Sequence, residues 1–289
     1  MGLAAIGDWS DMAELTEEQT NVLDYIGEQS NALTKNGNKD KWRENIIANR
    51  SYFARENPPT TGLAAFIVCA GPSLEKNVAE LMNVSERGCI VAVDAAVRFL
   101  LQNRIRPEYC MMIDASDRMM KMIEDCDTSG ITLVCTPSAN PHVVKAWRGD
   151  RFFVITPHLG VAKEYNMFHL TRVIKARKDI REGEELFLDQ EYDVAFGGIS
   201  GTITCGGNVS TAAQHFALQY LKAQVTVFVG NDLSWRYSDH HYAGSEHRDN
   251  GHSLKQSGGG NMMMSHPDVN GEPVFTNFSF LNFKRWHEQ

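Results

Sequence analysis

Between residues 64 and 229, short and mainly apolar runs alternate with amphipathic segments. The runs are Ala64–Cys69, Cys89–Val93, Tyr109–Ile113, Ile131–Cys135, Phe152–Ile155 and Gln224–Val229. They lack the polar-apolar alternation of a half-exposed strand, so they read as strands covered on both faces. Helical patterns fall between most of them, over Leu74–Val84, Ala95–Asn103, Arg118–Cys126 and His142–Arg148. Buried strands alternating with helices predict a Rossmann-like α/β fold, a mostly parallel sheet with helices on both faces.

The flanking segments have a different texture. Residues 1–32 are acidic and helix-like, and Lys35–Lys39 reads as a turn. A second amphipathic helix is predicted from about Lys41 to Arg55, presenting Trp42, Ile46, Ile47, Tyr52 and Phe53; Pro58-Pro59 ends it. Residues 1–60 are therefore expected to form an N-terminal helical appendage, and residues 61–289 the α/β domain. Within the latter, 160–196 is charged and irregular, either a solvated face or a subdomain over the ligand edge. Ser257–Gly260 reads as a flexible link and Met262–Met264 as a soft apolar contact. An amphipathic pattern over Phe275–Trp286 then predicts a docking helix or the join to a longer chain.

Composition narrows the function. A net charge of −8 argues against general nucleic-acid binding. No apolar run approaches a membrane span, and the first residues lack an export-signal pattern. The six cysteines are scattered without C-x-x-C, which fits reduced, buried thiols and a cytoplasmic location.

The residues after each strand carry the chemistry. They are Gly71-Pro72-Ser73, Asp94, Asp114-Ala115-Ser116, Thr136-Pro137-Ser138, Thr156-Pro157-His158 and Gly230-Asn231-Asp232. In open α/β sheets that carboxyl edge is where ligands bind. Singly, Asp94 and Ser116 are equally readable as helix caps; the set points to a ligand edge. Ser73 is predicted to cap the first helix, leaving its amides and the positive end of its dipole for a phosphate or another anion. The alternative there is an ordinary strand–helix turn, since the loop is neither Walker A nor G-x-G-x-x-G.

Two later stretches add candidates. Phe196–Ser210 mixes glycine with hydroxyls and opens a helix with Val209, Ala212, Ala213, Phe216, Ala217 and Tyr220 on one face. Gly206-Gly207-Asn208 either brings backbone to a ligand or lets the helix pack closely. His240, His241, His247 and His252 cluster with carboxylates, but their spacing is neither H-E-x-x-H nor a closed zinc pattern. A histidine general base over the sheet edge is the favoured reading, and no metal site is assigned.

The order of these pieces resembles the 6-hydroxymethylpterin diphosphokinase MptE-like family, and within it the Maf (motility-associated factor) glycosyltransferase-like branch. The resemblance rests on Gly71-Pro72-Ser73-Leu74, Ala92–Ala96 with Leu100, Ile105–Glu108, Ile113-Asp114, Gly207–Ala213, Phe228–Leu233, His241 with Gly244, Gly271–Thr276 and Phe283–Trp286, preceded by Trp42–Asn45. It covers roughly 40–286. The Gly-Pro-Ser-Leu loop is also similar to the nucleotide loop of one bacterial sialyltransferase family.

The resemblance implies a glycosyltransferase using a nucleotide-activated sugar, a CMP-linked nonulosonic acid of sialic or pseudaminic type, with a glycan or protein acceptor. Gly71, Pro72 and Ser73 would hold the donor phosphate or ribose. Asp94 and Asp114 would bind ribose or base edges, and Ser138 and Asn231 would complete the donor site. Gly207, Asn208 and Ser210 would close over the nucleotide. His241 or His240 would be the base, with Asp232 its alternative or orienting partner. No cofactor is implied, because a single-phosphate leaving group commonly needs no metal. Two alternatives stay open. A Mg-ATP diphosphokinase would use Asp114 and Asp117, although Met111–Asp117 lacks the paired acids and glycine of the family's Mg²⁺ run. The other is a non-catalytic nucleotide-binding domain.

Overall fold

The computed structural model describes residues 38, 40–42, 44–52, 62–84, 87–154, 203, 205–236, 263–268 and 270–287. Six strands form the central sheet: β1 (Ala64–Val68), β2 (Gly88–Val93), β3 (Tyr109–Met112), β4 (Thr132–Cys135), β5 (Arg151–Phe153) and β6 (Val225–Val229). All pair in parallel, in the order β5-β4-β3-β2-β1-β6. Every residue of β2 is buried, so both faces of the sheet are covered there, as its unbroken apolar run predicts. The chain winds outward from β1 to β5 and then returns to add β6 on the other side of β1. The direction of winding therefore reverses between β1 and β6, the kind of point at which open α/β sheets bind ligands.

The helices are α1 (Leu74–Asn77), α2 (Asp94–Gln102), α3 (Met119–Ile123), α4 (Pro141–Ala146), α5 (Val209–Gln219) and α6 (Phe278–His287). Helix α5 lies across β1, β2, β3 and β6. Its Phe216 is fully buried, with ring centroids 5.4 Å from Tyr109, 5.9 Å from Phe152 and 5.7 Å from Tyr220.

Three local expectations change. The helix expected over Leu74–Val84 is a single α turn followed by a 3-10 helix at Val78–Asn83. There the Asn77 side chain donates to the Ser73 carbonyl at 2.9 Å, competing with the backbone for it. In the helix before β1, Ile47 is 58% exposed, whereas Asn45 and Asn49 are buried with Ile46. The face turned inward is thus partly polar, because it docks on loops rather than on apolar side chains. Finally, part of the Met262–Met264 contact and the start of the expected C-terminal helix form a hairpin, β7 (Met263–Pro267) with β8 (Pro273–Asn277). Helix α6 begins only at Phe278, where Asn277 Oδ1 accepts the Phe280 amide at 2.9 Å.

All six cysteines are free, and burial raises the thiols of Cys69, Cys110 and Cys135 well above the ordinary value. Among the described residues no helix is long and apolar enough to cross a membrane. The expected excursion over 160–196 and the Ser257–Gly260 link lie outside the described residues.

Phe216→Ala should destabilise the domain by about 3–5 kcal/mol, the usual range for emptying a buried aromatic site. Denaturant unfolding should show this as a lower midpoint at unchanged slope.

Candidate functional site at the strand switch point

The loops after β1 and β6 meet backbone to backbone. Cys69 N donates to Val229 O and Gly71 N to Gly230 O, both at 2.8 Å. A Cβ on Gly71 would sit 2.6 Å from Gly230 O and 2.7 Å from Asp232 Cγ. A Cβ on Gly230, at φ +71°, would sit 2.3 Å from Cys69 O. Only glycine fits at either place. This contact carries Asp232 onto the start of α1, where Oδ2 accepts Ser73 N at 2.8 Å and Oδ1 accepts the Ser73 hydroxyl. Ser73 occupies the N-cap position without capping its own helix by its side chain. The amide that the sequence offers to an anion is therefore donated to Asp232. A pocket of about 420 Å³ opens beside this contact, with Ser73, Asn231 and Asp232 at its polar end and Phe66, Leu81 and Val227 along its wall.

The amino end of α5 is joined to the loop after β6 through His287. Asn208 caps it, its Oδ1 accepting Thr211 N at 2.9 Å and the Ser210 hydroxyl at 3.0 Å. Helix α6 covers this turn. A Cβ on Gly206 would meet Trp286 Cγ at 2.3 Å, and one on Gly207 would meet Phe283 Cε1 at 2.9 Å. The close approach these glycines permit is thus made by α6. At the end of α6, His287 reaches between the loops: its Nε2 lies 3.1 Å from Ser210 Oγ and 3.3 Å from Asn231 Nδ2.

Asp94, Asp114 and Ser138 line the same edge farther along the sheet. Asp94 is buried; desolvation pushes its carboxyl up to about 7, aided by Asp114 and opposed by the Ala95 amide and Arg118. Asp114 accepts Ser116 N at 2.7 Å and pairs with Arg118 at 3.2 Å. Ser138 Oγ is buried 3.2 Å from Thr136 Oγ1. Two asparagines before β1 fasten these loops. Asn45 Nδ2 donates to Ala115 O (3.2 Å) and Ser138 O (2.9 Å), and Asn49 Nδ2 to Pro137 O (2.9 Å) and Ala139 O (2.8 Å). Lys41 adds an ion pair to Asp117 at 2.8 Å, which holds that carboxyl below its ordinary value.

Residues 41–238 match the family model described as 6-hydroxymethylpterin diphosphokinase MptE-like. The chain belongs to that family. Among solved structures, this MptE-like chain is similar to the Maf glycosyltransferase from Magnetospirillum magneticum AMB-1, at TM-score 0.55 and 16% identity over 86% of this chain and 34% of that one. It thus spans about a third of that protein's length, and at this identity the likeness is one of fold. No curated protein sequence matches it.

The MptE-like fold brings Ser73, Asn231 and Asp232 to one pocket, with Gly71 and Pro72 in the loop that leads to Ser73; Asn208 and Ser210 do not line it, Ser210 being linked to Asn231 through His287, and Gly207 lies beneath α6. Asp94, Asp114 and Ser138 share the edge but not the crevice. His240 and His241 lie outside the described residues. Sequence reading missed His287, Gln214, Asn45 and Asn49 as members of this edge. The two asparagines had a signal, being polar positions on the apolar face of an amphipathic helix; His287 had none.

Asp94 makes stability depend on pH in a definite direction. Between its ordinary 3.8 and its folded value near 7, the folded state holds the proton that the unfolded chain has lost. Stability therefore falls as pH rises through that window. Asp94→Asn keeps an oxygen for Ala95 N and removes the penalty. It should match wild type at pH 4 and exceed it at pH 8 by no more than about 4 kcal/mol, at about 1.4 kcal/mol per pKa unit. Denaturation at both pH values checks this. Gly71→Ala should displace Asp232 and cost about 1–3 kcal/mol by overpacking, read from its unfolding midpoint.

Proposed function

We propose that this chain binds a nucleotide-activated sugar in the switch-point crevice and transfers the sugar, the donor being a CMP-linked nonulosonic acid. The observation that carries the reading is the pocket at the Ser73–Asp232 contact, placed where open α/β sheets hold nucleotides. Its lining includes Asp232 and Glu80 and neither lysine nor arginine. That chemistry suits the hydroxyl and amino donors of ribose and base, with Phe66 and Phe228 as flat apolar neighbours. Family membership and the fold shared with a Maf glycosyltransferase support the same reading.

The diphosphokinase alternative is less well served by these residues. Asp114 faces Arg118, and Asp117 faces Lys41 and the Asn140 amide at 3.0 Å. Carboxylates already matched by cations are poor Mg²⁺ ligands. Among the described residues no three carboxylates, histidines or cysteines group as a metal site.

Thermal unfolding with CMP, CDP, UDP, GDP and ATP, each with and without Mg²⁺, tests this. A ligand at a hundred times its Kd adds about 2.7 kcal/mol to the folded state. CMP or CDP should raise the midpoint by several degrees without metal. A shift with ATP and Mg²⁺ alone would favour the diphosphokinase, and no shift at all would remove the nucleotide reading.

A further inference from the structure

Among the described residues, Arg104, Asp125, Lys222 and Leu233 have a left-handed backbone without being glycine. The first three follow α2, α3 and α5, where such a residue commonly ends a helix. Leu233, at φ +48°, follows a strand instead and stands next to Asp232. A bulky residue in that conformation is strained, and the strain persists only where the surroundings over-determine it. Here they come from the hairpin β7–β8 and from α6. The buried Thr276 of β8 donates its hydroxyl to Leu233 O at 2.8 Å. Trp235 and Phe275 exchange backbone hydrogen bonds of 2.9 and 2.7 Å, and the Trp235 ring meets Phe280 edge-on with centroids 5.6 Å apart. The Ser234 hydroxyl closes the turn on Asp232 O at 3.0 Å.

On the other side of this turn Asp232 accepts the amide and the hydroxyl of Ser73. The chain thus reverses at Leu233 between two anchors, the hairpin behind it and α1 in front. A carboxylate offers about four acceptor positions. Ser73 occupies two of them, so Asp232 keeps acceptor capacity for the pocket that it lines. Glycine at 233 would adopt the same turn among many others. Leucine adopts it because Thr276 and the hairpin hold it there, so the direction of the Asp232 side chain depends on a hydroxyl 43 positions later in the chain.

We propose that Leu233 and Thr276 are positioning residues of the donor site, holding Asp232 on Ser73 and thereby fixing the polar end of the pocket for a nucleotide. This rests on the nucleotide-sugar reading above. The test measures CMP binding to the full chain by calorimetric titration without metal, at a temperature where every variant is folded. Thr276→Val should weaken CMP binding by about 2- to 10-fold, the worth of one hydrogen bond, and Thr276→Ser should recover most of that loss. Leu233→Gly should weaken binding by about 2- to 5-fold through the added backbone freedom. Leu233→Asn should recover most of it, because asparagine tolerates the left-handed region. Asp232→Ala should also weaken binding, and adding Thr276→Val to it should cost nothing further, since the threonine acts through that carboxylate. Thr276→Val and Leu233→Gly chains that bind CMP as wild type does would overturn the proposal. So would an undiminished loss from Thr276→Val in the Asp232→Ala background, which would give the threonine a purely structural role. Failure of the wild-type chain to bind any nucleotide would instead remove the reading beneath it.

Discussion

The contact between Asp232 and Ser73 joins residues 159 positions apart in the chain. A carboxylate accepting one backbone and one hydroxyl donor is a charge-assisted arrangement, stronger than a neutral pair. It ties the end of β6 to the start of α1 and so closes the point at which the sheet reverses its winding. Gly71 and Gly230 make it possible by removing the side chains that would hold the two loops apart. The contact also changes what the loop can bind. With an internal carboxylate on the Ser73 amide, that amide is no longer offered to an external anion.

Around that contact, the carboxyl edge of the sheet is assembled by segments from both sides of the α/β alternation. Asn45 and Asn49, before β1, hold the loops after β3 and β4 by their carbonyls. Helix α6, after β8, lays Trp286 and Phe283 over the glycines of the α5 turn and delivers His287 to the crevice. Neither segment belongs to the sheet, yet each fixes loops that the sheet alone would leave to solvent. The geometry of the site is thus a property of the whole chain rather than of its Rossmann-like core.

Much of the core was legible because its signal is local. An unbroken apolar run such as Cys89–Val93 has one comfortable place, inside a covered sheet, and β2 is buried at every residue. Helix α5 was legible from the spacing of Ala212, Ala213, Phe216 and Ala217, all of which are buried. Where local signals conflicted, the reading slipped. Ile47 looked like core by hydropathy, but the inward face of its helix meets carbonyl groups and so favours asparagine. The start of the C-terminal pattern looked helical, yet Phe275 exchanges backbone hydrogen bonds with Trp235 as part of the strand layer.

The sequence by itself determined the α/β class, the succession of strands and the enrichment of small, hydroxylic and acidic residues at the strand ends, because each depends on neighbours within a few positions. The tertiary structure decided which of those strand ends share a crevice, since strand order is set by pairing across long separations. It decided that the amide of Ser73 meets Asp232, that the glycines before α5 admit Phe283 and Trp286, and that a histidine near residue 290 stands beside a serine near residue 210. Such contacts leave no periodic trace in a sequence; they exist only once the sheet has brought distant residues within hydrogen-bonding reach.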